Sequence, residues 1–298
     1  MVCCDILVIG GGAAGLAAAL AASERGGSVL LAEAEGTLGG VLRQCLHRGV
    51  GEGLTGPAYA RRLVERVERS GVRVRTWVSV LELGLDRTAL LSSRTGLERA
   101  AFRRCVLAAG CRERTVHSLP MAGTRPKGVY TAGQAQRLTN LGHYDIGDDI
   151  VILGSGDVGQ IMARQLVQAG KRVTAVIEQR SALGGLARNR RACIEAYRIP
   201  VLLRSTVDEI LGEDRIQGVM VRNLETGMRD RLACGAQVTA LGLIPDRTLA
   251  GSGGAPEWLR LCRNCNFVHE MVDRVVREAA LWDAELGEES AREGYISA

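Results

Sequence analysis

Residues 5–33 read DILVIGGGAAGLAAALAASERGGSVLLAE, and this stretch decides the fold of the chain. A short apolar run at 6–9 predicts a buried strand, and the alanine-rich stretch that ends near Arg25 predicts a helix. Between the two, glycines follow the spacing G-x-G-x-x-G at Gly10, Gly12 and Gly15. A second predicted strand, residues 28–32, ends on the acid Glu33. Strand, glycine turn, helix, strand and acid in this order predict a complete βαβ unit.

Each part of this unit suits the binding of a dinucleotide. The first glycine of such a turn permits a tight bend, the second lets a pyrophosphate approach the backbone, and the third lets the helix pack close to the strand. The N–H groups and the dipole at the helix N-terminus bind phosphate. The acid after the second strand, here Glu33, accepts hydrogen bonds from a ribose. We therefore predict a dinucleotide-binding domain in this part of the chain.

The same pattern returns later in the sequence. Residues 149–153 predict a strand, residues 158–169 a helix, and residues 172–177 a strand that ends on Glu178. The glycine triplet is repeated as Gly154, Gly156 and Gly159. Beyond the acid the match continues in register, because Leu-Gly-Gly and an arginine follow at the same spacing in both copies. A repeated βαβ unit predicts a second dinucleotide-binding domain.

The predicted fold class is therefore α/β, with two Rossmann-like dinucleotide-binding domains of the three-layer ββα type, the second inserted in the first. We predict that residues 1–114 and 240–298 form the first domain, with a shortened C-terminal part. Residues 146–239 are predicted to form the second domain. Residues 115–145, which contain prolines and several glycines, are predicted to connect the two domains.

Composition excludes several classes of protein. The net charge is +5, but the basic residues are scattered, and an aromatic content of 3% is too low for the stacking surfaces that bind single-stranded nucleic acid. The sequence opens directly into a predicted strand, without the pattern of a secretory signal, so we expect the 9 cysteines to be reduced thiols. No apolar run is long enough to span a membrane. These features predict a cytoplasmic protein.

Two dinucleotide sites in one chain predict a division of labour. One site would hold a flavin permanently and the other a nicotinamide cofactor, with hydride passing between the two cofactors. The sequence resembles the flavoprotein pyridine-nucleotide oxidoreductases with two dinucleotide domains, which include thioredoxin reductase. Within them it is similar to the subgroup encoded beside anaerobic glycerol-3-phosphate dehydrogenase, akin to the A subunits of opine oxidase and the hydrogen cyanide synthase flavoproteins. The segments that carry this resemblance are GGVLRQCLH (39–47), LTGPAYA (54–60), CRERT (111–115), VYTAG (129–133), ARN (187–189) and GLIP (242–245).

The resemblance implies FAD in the first domain and NAD(P)H in the second. The implied FAD contacts are Gly10, Gly12, Ala13, Ala14, Gly15, Glu33, Ala34, Gly39, Gly40, Val78, Ala109, Gly110, Asn264 and His269. The implied nicotinamide-cofactor contacts are Gly154, Ser155, Gly156, Asp157, Val158, Gly159, Glu178 and Gly242. A carboxylate at Glu178 accepts a bond from a free 2′-hydroxyl and repels a 2′-phosphate, so we predict a preference for NADH, which Arg180 weakens.

The redox cysteines of disulfide reductases are missing from their usual places. Leu42 and His47 stand where a C-x4-C pair would be, and alanines stand near the usual place of a C-x-x-C pair. Cys45 has no near partner, so Cys45 and His47 are candidates only for a reactive thiol and for proton handling. The one C-x-x-C, Cys262 to Cys265, could form a dithiol or half a zinc site, but we favour the interpretation that these are incidental cysteines in a loop that contacts the flavin. We predict no metal site.

The resemblance breaks near the C-terminal end. Residues 249–261 look shortened, the apolar strand expected before Cys262 is not evident, and Arg263 replaces the usual glycine before Asn264. Three functions stay open. The first is an FAD-dependent oxidoreductase that exchanges electrons with a partner dehydrogenase subunit or a small acceptor, as a homo- or hetero-oligomer. The second is a non-catalytic dinucleotide-binding subunit of a dehydrogenase complex. The third is a disulfide reductase that uses Cys262 and Cys265.

Overall fold

The chain folds into two compact units. Unit 1 comprises Met1–Arg112 and Pro245–Ala298, and unit 2 comprises Glu113–Ile244. The second unit is thus inserted in the chain of the first, as the sequence predicts. This computed structural model describes residues 1–51, 53–251, 254–266 and 272–281. Among the helices in those ranges, none combines the length and the apolar character needed to span a bilayer.

Unit 1 is built on a mixed sheet of 7 strands. Their order across the sheet is Arg73–Arg75, Val29–Ala32, Val2–Ile9, Gly96–Leu107, Thr88–Ser93 and Ser79–Leu83, with Leu259–Leu261 also paired to Gly96–Leu107. The short strands outside this sheet are Arg48–Val50 and Leu54–Thr55. Its α-helices are Ala13–Glu24, Gly56–Glu68 and Val272–Leu281, and its 3₁₀ turns are Gly40–Gln44, Thr248–Ala250 and Arg263–Cys265. The chain passes between the units in the strands Cys111–Glu113 and Leu243–Pro245.

The first strand is central because both of its faces are apolar. Val2–Ile9 pairs in parallel with Val29–Ala32 on one side and with Gly96–Leu107 on the other. Successive side chains of a strand point to opposite faces of the sheet. Ile6 and Val8 therefore pack with the helices, while Leu7 and Ile9 pack in a second cluster on the other face. A strand that is covered on both faces has apolar side chains at successive positions, which explains the continuous apolar run in this part of the sequence.

The strand that the sequence did not make evident is present. Leu259–Leu261 pairs in parallel with Cys105–Leu107, and Leu259 is buried. The backbone N–H of Cys262 also donates to the carbonyl oxygen of Leu107, over 2.8 Å. The expectation that this strand is lost is therefore wrong. The strand escaped detection because it is only 3 residues long and Arg260 interrupts its apolar pattern.

Unit 2 contains two sheets. Its five-stranded parallel sheet has the order Val129–Thr131, Ala236–Thr239, Asp149–Leu153, Arg172–Ile177 and Val201–Leu202. Its four-stranded sheet has the order Ala122–Gly123, Ser205–Gly212, Ile216–Asn223 and Arg229–Ala233. Its helical segments are Val116–Ser118, Ala132–Gln136, Arg137–Leu141, Asp157–Gln168, Ala187–Asn189 and Arg190–Glu195.

The segment predicted to connect the domains, residues 115–145, lies within unit 2. Its residues Val129–Thr131 form an edge strand of the parallel sheet, paired with Gln237–Thr239. Ala132 and Ala135 pack in the core of that sheet and are fully buried. Prolines and glycines therefore mark turns between elements of this unit.

The close approach of the first helix to its glycine turn gives a testable prediction. A Cβ atom at Gly15 would lie 1.8 Å from the carbonyl oxygen of Gly10, which belongs to the backbone and cannot rotate away. We expect Gly15→Ala to lower the free energy of unfolding by roughly 3 kcal/mol, measured by chemical denaturation. The control is Gly235→Ala, because the nearest atom to a Cβ there lies at 3.9 Å. Equal stability of the two variants would contradict this packing.

Candidate functional site: two glycine turns and their acids

The glycine turn of unit 1 leaves space at one position. Gly10 has φ +102°, and a Cβ atom there would lie 2.5 Å from the carbonyl oxygen of Ala108. Contacts within the protein thus require glycine at Gly10, as they do at Gly15. At Gly12, by contrast, a Cβ atom would meet nothing within 4 Å among the described residues. Gly12 precedes the helix Ala13–Glu24, whose first N–H groups have no partner within the helix. The open position therefore lies where a phosphate would approach.

Glu33 is held in place by the same turn. Its side chain is buried, and its Oε2 accepts a hydrogen bond of 2.6 Å from the N–H of Gly11. Its Oε1 accepts one of 2.7 Å from the N–H of Glu35. A carboxylate oxygen can accept more than one hydrogen bond, so both oxygens keep capacity for ribose hydroxyls.

The structure brings several other predicted contacts of unit 1 close to this turn. The N–H of Gly39 donates to the carbonyl oxygen of Gly11 over 2.8 Å, and a Cβ atom at Gly40 would lie 3.0 Å from Cα of Gly12. The N–H of Val78 donates to the carbonyl oxygen of Glu33 over 2.9 Å. Ala13 and Ala14 are half-buried in the first helical turn, Ala34 follows Glu33, and Ala109 and Gly110 follow the strand Gly96–Leu107 beside Gly10.

The altered C-terminal turn is tied to this edge. The thiol sulfur of Cys265 accepts a hydrogen bond of 3.0 Å from the N–H of Gly110, and Nε of Arg247 donates to the carbonyl oxygen of Cys265 over 3.1 Å. Asn264, half-buried, lies on this turn. His269, the last predicted contact of this unit, lies outside the described residues.

Cys262 and Cys265 do not face each other. Cys262 packs with Ile6 and Val8 on one face of the sheet, and Cys265 packs with Leu7 in the cluster on the opposite face. Burial raises the pKa of the Cys265 thiol to about 11, so the sulfur stays protonated near neutral pH. In the part of the chain that the structure describes, no group of three or more His, Cys, Asp or Glu side chains could hold a metal ion.

Cys45 and His47 follow the 3₁₀ turn Gly40–Gln44 and are half-buried. Burial raises the pKa of the Cys45 thiol to about 11, and the thiol donates to the carbonyl oxygen of Val41 over 3.3 Å. The nearby Arg43, a cation that could lower this pKa, forms an ion pair of 3.1 Å with Glu35.

The glycine turn of unit 2 has the same arrangement, in which contacts within the protein require the first and third glycines and the second has space beside it. A Cβ atom at Gly154 would lie 2.4 Å from the carbonyl oxygen of Ala240, and one at Gly159 would lie 2.2 Å from the carbonyl oxygen of Gly154. At Gly156, as at Gly12, a Cβ atom would meet nothing within 4 Å in the described parts of the chain. Gly156 precedes the helix Asp157–Gln168, in which Val158 is 43% exposed. Gly242, with φ +98°, lies after the strand Ala236–Thr239.

Glu178 holds the second turn as Glu33 holds the first. Its Oε2 accepts bonds from the N–H and the hydroxyl of Ser155, and its Oε1 accepts bonds of 3.0 Å from both the N–H and Nε of Arg180. Burial alone would raise the pKa of Glu178, but the hydrogen bonds from Arg180 and Ser155 outweigh it and hold this pKa below its usual value. The carboxylate is therefore ionised at neutral pH.

Polar contacts that sequence reasoning missed surround the second turn. Asp157 Oδ1 accepts bonds of 2.7 Å from the N–H of Leu186 and from Nδ2 of Asn189. The side chain of Gln160, which is fully buried, donates to the carbonyl oxygens of Ser155 and Gly184. The signal was available in the repeat, because Gln160 stands where the first copy has the apolar Leu16.

A comparison with known proteins identifies the family of this chain. The sequence model of the pyridine nucleotide-disulphide oxidoreductases matches residues 4–258. The chain belongs to this family. Its members are flavoproteins that bind FAD and NAD(P)H. The predicted assignment to pyridine-nucleotide oxidoreductases is thereby confirmed.

Similar proteins include components of larger enzymes. The chain is 32% identical over 196 residues to hydrogen cyanide synthase subunit HcnB of Pseudomonas protegens, an overlap that covers 63% of this chain and 41% of that protein. Among the A subunits of opine oxidase, it is 28% identical over 186 residues to the Rhizobium meliloti protein, covering 60% of this chain and 39% of that protein. The chain thus spans about two fifths of the length of these relatives. The predicted similarity to both groups of proteins is confirmed.

The fold is shared with a solved thioredoxin reductase. The T. acidophilum enzyme superposes with a TM-score of 0.81, covering 98% of this chain and 100% of that chain, at 18% sequence identity. At this identity the likeness concerns the fold alone. It confirms the predicted α/β fold with two Rossmann-type units.

The raised pKa of Cys45 predicts how this thiol reacts. Since only the thiolate is nucleophilic, we expect alkylation of Cys45 by iodoacetamide to be slow at pH 8 and to accelerate as pH rises toward about 11. The exposed Cys3 serves as the internal comparison, with both sites followed by peptide mass spectrometry. Labelling of Cys45 as fast as that of Cys3 at pH 8 would show a reactive thiol instead.

Proposed function

We propose that this protein is an FAD-dependent oxidoreductase that transfers hydride between NADH and flavin, with FAD in unit 1 and the nicotinamide cofactor in unit 2. The observation that supports it is the space at Gly12 and Gly156. Neither glycine is required by a contact with the described residues, yet each precedes a helix N-terminus. When bound, FAD supplies the centre that accepts or returns the hydride.

The residues of unit 1 would bind and orient FAD rather than act as acids or bases. The first helical turn with Gly12, Ala13 and Ala14 would bind the pyrophosphate through backbone N–H groups and the helix dipole. Glu33, fixed by Gly11, would accept from the adenosine ribose. The remaining contacts proposed for FAD are Gly10, Gly15, Ala34, Gly39, Gly40, Val78, Ala109, Gly110, Asn264 and His269.

The C-terminal turn supports retention of FAD in spite of Arg263. Backbone bonds hold the turn beside Leu107, and the Cys265 sulfur holds it to Gly110. These bonds involve main-chain atoms and a buried thiol, so a change of side chain at position 263 leaves them in place. We therefore favour an enzyme over a non-catalytic dinucleotide-binding subunit. The placement of Cys262 and Cys265 on opposite faces of the sheet speaks against a disulfide reductase that uses this pair.

The residues of unit 2 would hold the nicotinamide cofactor in the same way. The proposed contacts are Gly154, Ser155, Gly156, Asp157, Val158, Gly159, Glu178 and Gly242. The preference for NADH rests on Glu178, which is ionised and already neutralises Arg180 through Nε. A 2′-phosphate at this place would meet a buried carboxylate, whereas a free 2′-hydroxyl would donate to it.

A partner subunit or a small molecule would exchange electrons with the flavin. The names of the similar proteins, hydrogen cyanide synthase subunit HcnB and the A subunits of opine oxidase, describe parts of larger enzymes, which supports a partner dehydrogenase subunit. The finer placement beside anaerobic glycerol-3-phosphate dehydrogenase stays a prediction. So do a cytoplasmic location, a homo- or hetero-oligomeric state and the roles of Cys45 and His47.

A visible absorption spectrum tests the proposal directly. We expect the purified protein to show a flavin band that NADH bleaches under anaerobic conditions. Gly12→Val is expected to lose bound FAD, because its side chain would fill the space proposed for the pyrophosphate. Gly156→Val is expected to keep FAD but to be bleached slowly by NADH.

Other outcomes of that experiment point elsewhere. A colourless wild-type protein that stays colourless after addition of FAD would contradict the enzyme and favour the non-catalytic subunit. Circular dichroism of both glycine variants is the control for folding. We expect it to match the wild type, since the added side chains face open space.

Replacing the acid tests the preference between the two nicotinamide cofactors. In Glu178→Gln the charge that repels a 2′-phosphate is lost, so we expect the ratio of the apparent affinities for NADH and NADPH to fall by about tenfold or more. Because the pKa of Glu178 is below its usual value, the carboxylate keeps its charge between pH 6 and 8, and we expect the apparent affinity of the wild type for NADH to stay constant over this range. The control is Glu213→Gln, an exposed acid in the same unit with the same change of charge. Faster flavin reduction by NADPH in the wild type would overturn the NADH preference.

A further inference from the structure

Residues 183–189, which follow Glu178, are here called the wall segment. Side chains attach this segment by hydrogen bonds to the phosphate-binding turn of unit 2, residues 154–157. Its Gly184 N–H donates to the hydroxyl oxygen of Ser155 over 2.9 Å. Its Leu186 N–H and Asn189 Nδ2 both donate to Asp157 Oδ1 over 2.7 Å. The wall segment thus contacts the residues on both sides of Gly156, the open position of the turn.

Gln160 connects the two segments most directly. Its Nε2 donates to the carbonyl oxygen of Ser155 over 2.7 Å and to that of Gly184 over 2.6 Å. Because both partners are acceptors, they fix which end of the amide faces them. One buried amide group therefore joins the phosphate-binding turn to the wall segment. Its Oε1 is buried and has no donor among the described residues.

The first copy of the repeat has a contact between backbone groups at the matching place. There Gly39 N–H donates to the carbonyl oxygen of Gly11, whereas in unit 2 Gly184 N–H donates to the hydroxyl oxygen of Ser155. The residue at the place of Gln160 is Leu16, which is fully buried in the apolar core. Ala13 likewise stands at the place of Asp157. Unit 2 has therefore exchanged apolar residues for polar ones at the positions that contact the wall segment.

We propose that Gln160 is a positioning residue of the second dinucleotide site, which it serves by holding the wall segment against the phosphate-binding turn before the cofactor binds. This inference rests on the proposed function, since it takes the ligand of unit 2 to be NADH. Because the wall segment is already ordered, binding costs no entropy for ordering it. This favours the affinity for a cofactor that must bind and leave in each cycle. The residue acts on binding through the backbone of Ser155 and Gly184, without a role in hydride transfer.

The test replaces Gln160 by the residue of the first copy. Gln160→Leu removes both hydrogen bonds, and Leu is tolerated at the matching position of unit 1. Gln160→Met removes the same bonds with a side chain of nearly the same length, in case Leu disturbs packing. The control is Gln165→Leu on the same helix, which breaks a bond of 2.8 Å to Asn140 outside the phosphate-binding turn and the wall segment.

Two measurements separate positioning from general stability. We expect both Gln160 variants to raise KM for NADH by about tenfold while kcat at saturating NADH and the flavin content stay unchanged. Hydrogen exchange of the Gly184 and Leu186 amides in the cofactor-free protein should be faster in both variants. The Gln165→Leu protein should match the wild type in KM and in the exchange of these amides.

The outcomes distinguish this inference from the proposed function. Failure of the wild-type protein to bind NADH would refute the proposed function. Wild-type binding that both Gln160 variants leave unchanged would refute only the inference. A fall in kcat with unchanged KM would also overturn it, because it would place Gln160 in the chemical step.

Discussion

The closeness of a helix to the turn before it is the constraint on which both sites depend. Gly15 and Gly159 each lie so near a backbone oxygen of their own turn that a side chain could not be placed there. In each unit these close contacts place the helix next to the ends of the strands. The helix N-terminus therefore lies at the edge of the sheet, beside Gly12 in unit 1 and beside Gly156 in unit 2. Gly12 and Gly156 have space for a Cβ atom, whereas the first and third glycines of each turn do not.

A buried acid holds each turn in this position. Glu33 and Glu178 follow the second strand of their units, and each accepts a bond from the N–H of the residue between the first two glycines. A buried carboxylate needs such donors, since burial without them would favour the neutral acid. The same group therefore stabilises the turn and presents oxygen atoms to a ribose. The two units differ in the residues around this shared arrangement. Unit 2 has the polar residues Asp157 and Gln160 where unit 1 has Ala13 and Leu16.

Much of the fold was predictable because its signals are local. The glycine spacing, the strand that precedes it and the acid that follows it lie within a short stretch, so the repeat and both turns could be recognised from residues alone. The strand Leu259–Leu261 could not, because its short apolar pattern acquires meaning only beside Gly96–Leu107. The chemistry of Cys45 was open for the same reason, because the pKa of its thiol depends on burial.

The sequence by itself determined the two glycine turns, the acids that follow them and the order of strands and helices around them, since backbone sterics and side-chain periodicity act between near neighbours. Tertiary structure decided the properties that depend on distant partners. It placed Cys262 and Cys265 on opposite faces of one sheet, although they are close in sequence. It also turned Gln160 toward two carbonyl oxygens. Burial, pKa and hydrogen bonding are set by atoms that folding brings together, and no local pattern carries them.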